Sequence, residues 1–213
     1  MELVGRLACL VAAAAAALAL ATVARCDPQV PCYFIFGDSL VDNGNNNYIV
    51  SLARANYPPY GIDFAGGPSG RFTNGLTTVD VIAQLLGFDN FIPPYAATGG
   101  DQLLNGVNFA SAAAGIRAET GQQLGGRIPF AGQVQNYQTA VQTLVNILGD
   151  RDTASERLSQ CIFTAPCANR DQHIFWDAFH PSEAANIIVG RRSYRAQSPN
   201  DAYPMDISTL ASL

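Results

Sequence analysis

A serine just past a buried strand is where an α/β protein exposes a nucleophile, and Ser39 stands in that place, two residues beyond Gly37 and the apolar run Tyr33-Phe34-Ile35-Phe36. A serine hydroxyl is a weak nucleophile. It needs a base to take its proton and donors for the oxyanion that forms on attack. The chain has two histidines, His173 and His180. His180 lies in Trp176-Asp177-Ala178-Phe179-His180-Pro181, where Asp177 can reach back across a turn to one ring nitrogen and leave the other for Ser39. His173 has Arg170 at that offset, which cannot play the same part. Acyl transfer by Ser39, His180 and Asp177 is the chemistry these residue types would perform. Taken singly, the features have plainer readings: Gly67-Pro68-Ser69 as a turn, Asp-x-x-His as a surface pair or helix cap, Asn43 to Asn47 as a solvated turn, and Phe175, Trp176 and Phe179 as core. The Gly-x-Ser-x-Gly elbow is absent, which argues against the α/β-hydrolase arrangement built on it.

The elements around these residues alternate. Tyr33 to Phe36 reads as a fully buried strand stopped by Gly37. A helix is predicted from about Thr77 to Leu86, with Asn74 or Thr73 near its start and Gly87 at its end. Val107 to Ala110 is a second candidate strand. Val134, Tyr137, Val141, Leu144, Val145 and Leu148, closed by Gly149, form a helical stripe that should pack on a sheet. A short amphipathic stretch from Asp152 to Gln160 leads into a third strand candidate, Cys161 to Thr164. A last helix is expected near Pro181, with that proline in its first turn, continuing through Ala184, Ala185, Ile187, Ile188 and Val189. Strands alternating with helices predict an α/β fold with a mostly parallel sheet.

The 213 residues are 48% hydrophobic and 14% charged, with 12 basic against 17 acidic side chains and a net charge of −5. That excludes a disordered polyelectrolyte and a basic nucleic-acid binder. There are 19 glycines and 12 prolines and no repeat of solenoid spacing, so one loop-rich domain is expected. Arg6 precedes an uncharged run from Leu7 to Ala24 ending in small residues, the pattern of a secretory signal cut after Ala24. Residues 1–24 are thus read as signal peptide and 25–213 as the domain, with no membrane span left after cleavage; an uncleaved membrane anchor is the plainer alternative. Cys9 leaves with the signal, and Cys26, Cys32, Cys161 and Cys167 enter an oxidising route in which three pairings are open. No Asn-x-Ser/Thr sequon occurs.

Taken together, the segments resemble the plant GDSL esterase/lipases, a branch of the SGNH hydrolases. Phe34-Ile35-Phe36-Gly37-Asp38-Ser39-Leu40-Val41-Asp42-Asn43-Gly44-Asn45-Asn46 is similar to block I of that family, and Gly106-Val107-Asn108-Phe109-Ala110-Ser111-Ala112-Ala113-Ala114-Gly115-Ile116 to block II. Between them, Gly70-Arg71-Phe72-Thr73-Asn74-Gly75 resembles the family's Gly-Arg-Phe-Ser/Thr-Asn-Gly signature. Cys167 to Arg170 and Phe175 to Asn186 resemble block V and its lead-in. The resemblance implies a three-layer α/β/α hydrolase with Ser39 as nucleophile, His180 as general base and then acid, Asp177 orienting His180, and the N–H groups of Ser39 and Gly115 as oxyanion donors. It also implies a secreted ester hydrolase acting on a small-molecule, lipid or cell-wall ester, without metal or organic cofactor.

One part of the family pattern is missing. Block III, a Gly-x-Asn-Asp that follows a buried strand and supplies an asparagine as third oxyanion donor, does not occur, and neither Asn169 nor Asn200 sits in that setting. Cys161-Ile162-Phe163-Thr164 resembles the strand leading to block III, yet Ala165-Pro166-Cys167 already runs toward block V. The expectation is an internal deletion near 164–166, leaving an incomplete sheet, an exposed edge and a short tether to His180. Losing one oxyanion donor costs about 10²–10³ in rate. The alternative function is therefore an impaired or inactive product, a binding module or a chain that does not fold stably.

Overall fold

The computed structural model describes residues 27–164, 180, 181 and 183–213. The leader, Cys26, Cys167, Asn169, His173 and Asp177 lie outside them. In chain order the elements are β1 (Tyr33–Ile35), α1 (Thr78–Leu85), α2 (Phe130–Leu148), α3 (Arg151–Ser159), β2 (Ile162–Thr164), α4 (Glu183–Tyr194) and α5 (Ile207–Leu210).

β1 is the centre of a parallel layer. It pairs with β2 in the register Tyr33 to Ile162, Phe34 to Phe163 and Ile35 to Thr164. On its other edge Ile35 bridges Asn108 in parallel, and Asn108 bridges Pro94 in parallel. The expected strand at Val107 to Ala110 is thus extended backbone joined to its neighbours by single bridges. The reason lies next door: Pro93 and Pro94 have no N–H to give, so the ladder on that side reduces to Asn108 N–H to Pro93 O (3.0 Å) and Tyr95 N–H to Asn108 O (2.9 Å).

The side chains of β1 alternate between two cores. Tyr33 and Ile35 join Val79, Ile82, Ala83 and Leu86 of the α1 segment, with Ile162 of β2. Phe34 and Phe36 join Val107, Phe109, Ala140 and Leu144 under α2. Helices cover both faces, which is the three-layer α/β/α order, here around a short sheet. Tyr137 of α2 meets Phe34, Phe36, Phe109 and Phe163 edge-on, with centroids 5.6 to 6.0 Å away.

Capping sets the helix ends. α1 is capped by Thr77, not by Thr73 or Asn74: the Asp80 N–H reaches Thr77 Oγ1 and the Thr77 N–H reaches Asp80 Oδ2, a reciprocal box. α2 ends where Gly149 takes a left-handed φ of 94°. Asp150 caps α3 by accepting from the Thr153 N–H at 2.8 Å. α4 begins at Glu183, so Pro181 precedes the helix instead of sitting in its first turn.

Cys32 and Cys161 form a disulfide across a sequence separation of 129. They flank the starts of β1 and β2, where the Ile162 N–H also donates to the Cys32 carbonyl at 3.1 Å. The partner of Cys32, open in the sequence, is thereby assigned. Closing a loop of that length stabilises the fold by on the order of 4–5 kcal/mol in the chain-entropy account.

The helical stripe read on α2 is divided. Ala140 and Leu144 are buried against the sheet, while Val141 and Val145 line a cavity of about 670 Å³ together with Leu158 of α3 and Phe163 of β2. Phe163 is 45% exposed although it lies in a strand, and β2 pairs only with β1 among the described residues. Among the described residues one side of β2 is therefore unpaired. No helix among the described residues is long and apolar enough to cross a membrane.

Candidate active site

Ser39 is placed by what holds Gly37. The Gly37 N–H donates to Gln133 Oε1 (3.0 Å), and the Gly37 carbonyl accepts from Gln133 Nε2 (2.8 Å) and the Ser111 N–H (3.1 Å). The Gln133 amide takes the place of a neighbouring strand, offering one donor and one acceptor to one residue. It is fully buried and also donates to the Ile128 carbonyl at 3.0 Å. Beyond Gly37 the chain turns sharply. The Asp38 carbonyl accepts from the Val41 and Asp42 N–H groups (3.2 and 2.9 Å), and Asp38 Oδ1 accepts from the Leu40 N–H (3.1 Å). Ser39 sits half-buried on this turn, at the carboxyl end of β1.

Asp42 ties the turn to the loop after Asn108. Its fully buried carboxyl accepts from the N–H groups of Gly44 (2.8 Å), Asn45 (2.9 Å) and Ala112 (2.9 Å). Burial pushes its pKa up to about 6 in spite of those donors. The asparagines that follow correct an expectation, because they form no solvated turn: Asn43, Asn45 and Asn46 are buried. Asn45 Nδ2 donates to the carbonyls of Asn108 (2.8 Å) and Ala110 (2.7 Å), and Asn46 Nδ2 to those of Ala53 (2.8 Å) and Ala112 (3.0 Å). Asn43 Nδ2 reaches the Ile92 carbonyl at 2.7 Å. The loops they splint have backbone groups that no strand satisfies, and short amides with donors and an acceptor supply the partners.

The loop so anchored is strained. Ala113 adopts φ 63°, a left-handed conformation that costs a non-glycine residue about 1–2 kcal/mol. Such outliers persist where surrounding contacts fix them, commonly at functional sites. Here Ala112 on one side is held by Asp42 and Asn46, and the Gly115 carbonyl on the other accepts from the Phe130 N–H at 3.1 Å.

His180 is buried, and its ring centroid lies 4.8 Å from that of Phe72. Phe72 in turn packs on Ala112 and Ala55. The segment carrying Phe72 is fixed by Arg71, whose guanidinium pairs with both carboxylate oxygens of Asp80 (2.7 and 2.8 Å) and stacks over Phe64 at 4.3 Å. Phe72 therefore stands between His180 and the loop that Asp42 ties to Ser39. Among the described residues no hydrogen bond joins Ser39 to His180 directly. Asp177 lies outside the described residues.

Residues 33–154, more than half of the chain, match the family described as GDSL-like Lipase/Acylhydrolase. The chain belongs to that family. One protein named GDSL esterase/lipase from Arabidopsis thaliana is 37% identical over 349 residues of alignment, covering 92% of this chain and 96% of the relative. A second Arabidopsis thaliana GDSL esterase/lipase is 58% identical over 144 residues, or 67% of this chain and 39% of the relative. A third is 43% identical over 184 residues, 82% and 50% of the two chains. No solved structure gives a significant match. By family the chain is a hydrolase acting on ester bonds.

In this GDSL protein none of Ser39, Gly115 and His180, the residues singled out in the sequence, lines the cavity of about 670 Å³. Sequence reasoning passed over Gln133, Asp42 and Phe72. Gln133 did leave a signal: it precedes Tyr137, Ala140 and Leu144 at helical spacing, a polar residue inside a buried seam.

Proposed function

We propose that this chain is a secreted serine ester hydrolase in which Ser39 is the nucleophile, His180 the general base and then acid, and Asp177 the group that orients His180. The single observation carrying this is the shared frame: Asp42 binds the Ala112 N–H, and Phe72 packs on Ala112 while its ring lies tilted against that of His180. It supports a nucleophile turn, an oxyanion loop and a base held by one set of contacts. Ser39 Oγ bonds to the ester carbonyl carbon as its proton passes to His180, and the N–H groups of Ser39 and Gly115 hydrogen-bond the oxyanion. Collapse breaks the bond to the alcohol, which leaves with the proton from His180. Water then repeats the sequence on the acyl-enzyme and frees the acid. The route uses no metal or organic cofactor, and its substrate is a small-molecule, lipid or cell-wall ester.

Residues 1–24 are the signal peptide of this reading and 25–213 the hydrolase domain, with an internal deletion near 164–166. An alignment of 349 residues, longer than the 213-residue chain, supports the deletion, as does the open cavity beside β2. The Cys32–Cys161 disulfide supports an oxidising route and hence secretion. The test is hydrolysis of a short-chain nitrophenyl ester by the mature chain beside its Ser39→Ala variant. Turnover that vanishes in the variant is expected; equal background rates from two soluble, folded proteins would sink the enzyme.

A further inference from the structure

The Gly70 to Gly75 signature takes no part in the acyl transfer just described, yet it meets the segment bearing His180 at several points. Glu183 opens α4, three residues past His180. Its N–H donates to Asn74 Oδ1 (2.9 Å), and its Oε1 accepts from the Leu76 N–H (2.9 Å). The carboxylate lies directly over Gly75, where a Cβ would fall 2.5 Å from it, so a side chain there would push the carboxylate aside. One turn later Asn186 Nδ2 donates to the Leu76 carbonyl (3.0 Å), and Asn186 Oδ1 accepts from Thr78 Oγ1 (3.0 Å). Both backbone polar groups of Leu76, its N–H and its carbonyl, are thus held by α4. Asn74 is itself braced, its Nδ2 donating to Asp63 Oδ2 at 2.7 Å. Two residues before Asn74, Phe72 carries the His180 ring.

We propose that Glu183 is a positioning residue for His180: seated in the Asn74 to Leu76 turn, it fixes the start of α4 and with it the ring contact of His180 with Phe72. This deepens the esterase reading and rests on His180 being the base. Reach is what matters, since Leu76 N–H lies just ahead of the Thr77 cap of α1 and has no place in that helix's ladder. Glu183 therefore joins the amino ends of α1 and α4 through one carboxylate.

The experiment uses the mature chain with isotope-labelled histidine. It has two histidines, so a His173→Gln substitution assigns the His180 ring signals. The ring current of Phe72, its centroid 4.8 Å away, displaces the His180 ring proton from its random-coil position. Glu183→Gln keeps the acceptor for Leu76 N–H and is expected to keep that displacement and kcat within about threefold. Glu183→Asp keeps the charge but falls one methylene short. It is expected to lose the displacement and to lower kcat about 10-fold to 100-fold with KM unchanged, the scale of a small misplacement of a reacting group. Glu183→Ala should do the same. A folded Glu183→Asp chain whose His180 signal stays in its wild-type position would overturn the proposal. The ring signal answers even if no Ser39-dependent turnover is found, in which case the esterase reading fails by itself.

Discussion

Replacing Gln133 by methionine keeps the length of the side chain and deletes its hydrogen bonds. Three are lost: from the Gly37 N–H, to the Gly37 carbonyl and to the Ile128 carbonyl. The Gly37 carbonyl keeps the Ser111 N–H at 3.1 Å, and half-buried Ile128 can turn to water, so the uncompensated loss is one buried N–H. An orphaned donor costs about 1–3 kcal/mol, and each hydrogen bond contributes about 1 kcal/mol besides. Methionine's apolar transfer offsets part of this, leaving a destabilisation of roughly 2–4 kcal/mol. For a chain of this size that lowers Tm by about 5–15 °C. The assay is urea unfolding of the disulfide-intact chain, paired with amide hydrogen exchange over Gly37 to Asp42, where protection should fall before the rest of the molecule opens. Gln133→Glu sharpens the point. Its carboxylate keeps an acceptor for the Gly37 N–H but sets a second oxygen against the Gly37 carbonyl, so it should be worse at pH 7 than at pH 5, where protonation restores a donor. A loss below about 0.5 kcal/mol in Gln133→Met, with exchange at Gly37 unchanged, would refute the idea that this amide stands in for a strand.

Three further outcomes are expected. Arg71→Ala strands the buried Asp80 carboxylate and should cost about 3–5 kcal/mol in chemical denaturation, far more than an exposed arginine. Reducing the Cys32–Cys161 bond, or substituting both cysteines by alanine, should lower stability by about 2–5 kcal/mol in calorimetry or denaturant unfolding. Asp42 titrates at about 6 when folded, above its ordinary value of 3.8. Its proton therefore favours the folded state: that contribution is full below pH 4 and is lost as pH rises toward 6. Unfolding free energies measured from pH 4 to pH 7 should show this decline in the wild type, and Asp42→Asn should remove it.

What could be read from sequence was whatever a local pattern records. The run Tyr33 to Phe36 announced a doubly covered strand because all four residues are apolar, and Gly149 marked the end of α2 because left-handed backbone favours it. Polar residues that serve distant backbone were illegible. Asn45 and Asn46 look like any turn until Asn108, Ala110 and Ala112 arrive beside them, more than sixty residues on. Asp42 and Gln133 likewise find their partners 70 and 96 residues away. The α2 stripe misled for the opposite reason. Periodicity marks apolar residues but does not say what covers them, and Val141 and Val145 face a cavity rather than the sheet.

The Cys32–Cys161 bond makes a covalent ring of almost everything from β1 to α3. A single protease nick anywhere inside that ring leaves both pieces fastened together, so the Ser39 turn and the loop after Asn108 survive it as one body. His180 lies on the tail outside the ring. A nick between Cys167 and His180 would turn that tail into a separate peptide, held by α4 on α1, by Tyr194 Oη on Gln29 Oε1 at 2.6 Å, and by the ring contact with Phe72. The molecule is thus divided into a tethered body and a docked peptide, and a synthetic tail added to the ring in trans becomes a natural way to ask how much of the site each one carries.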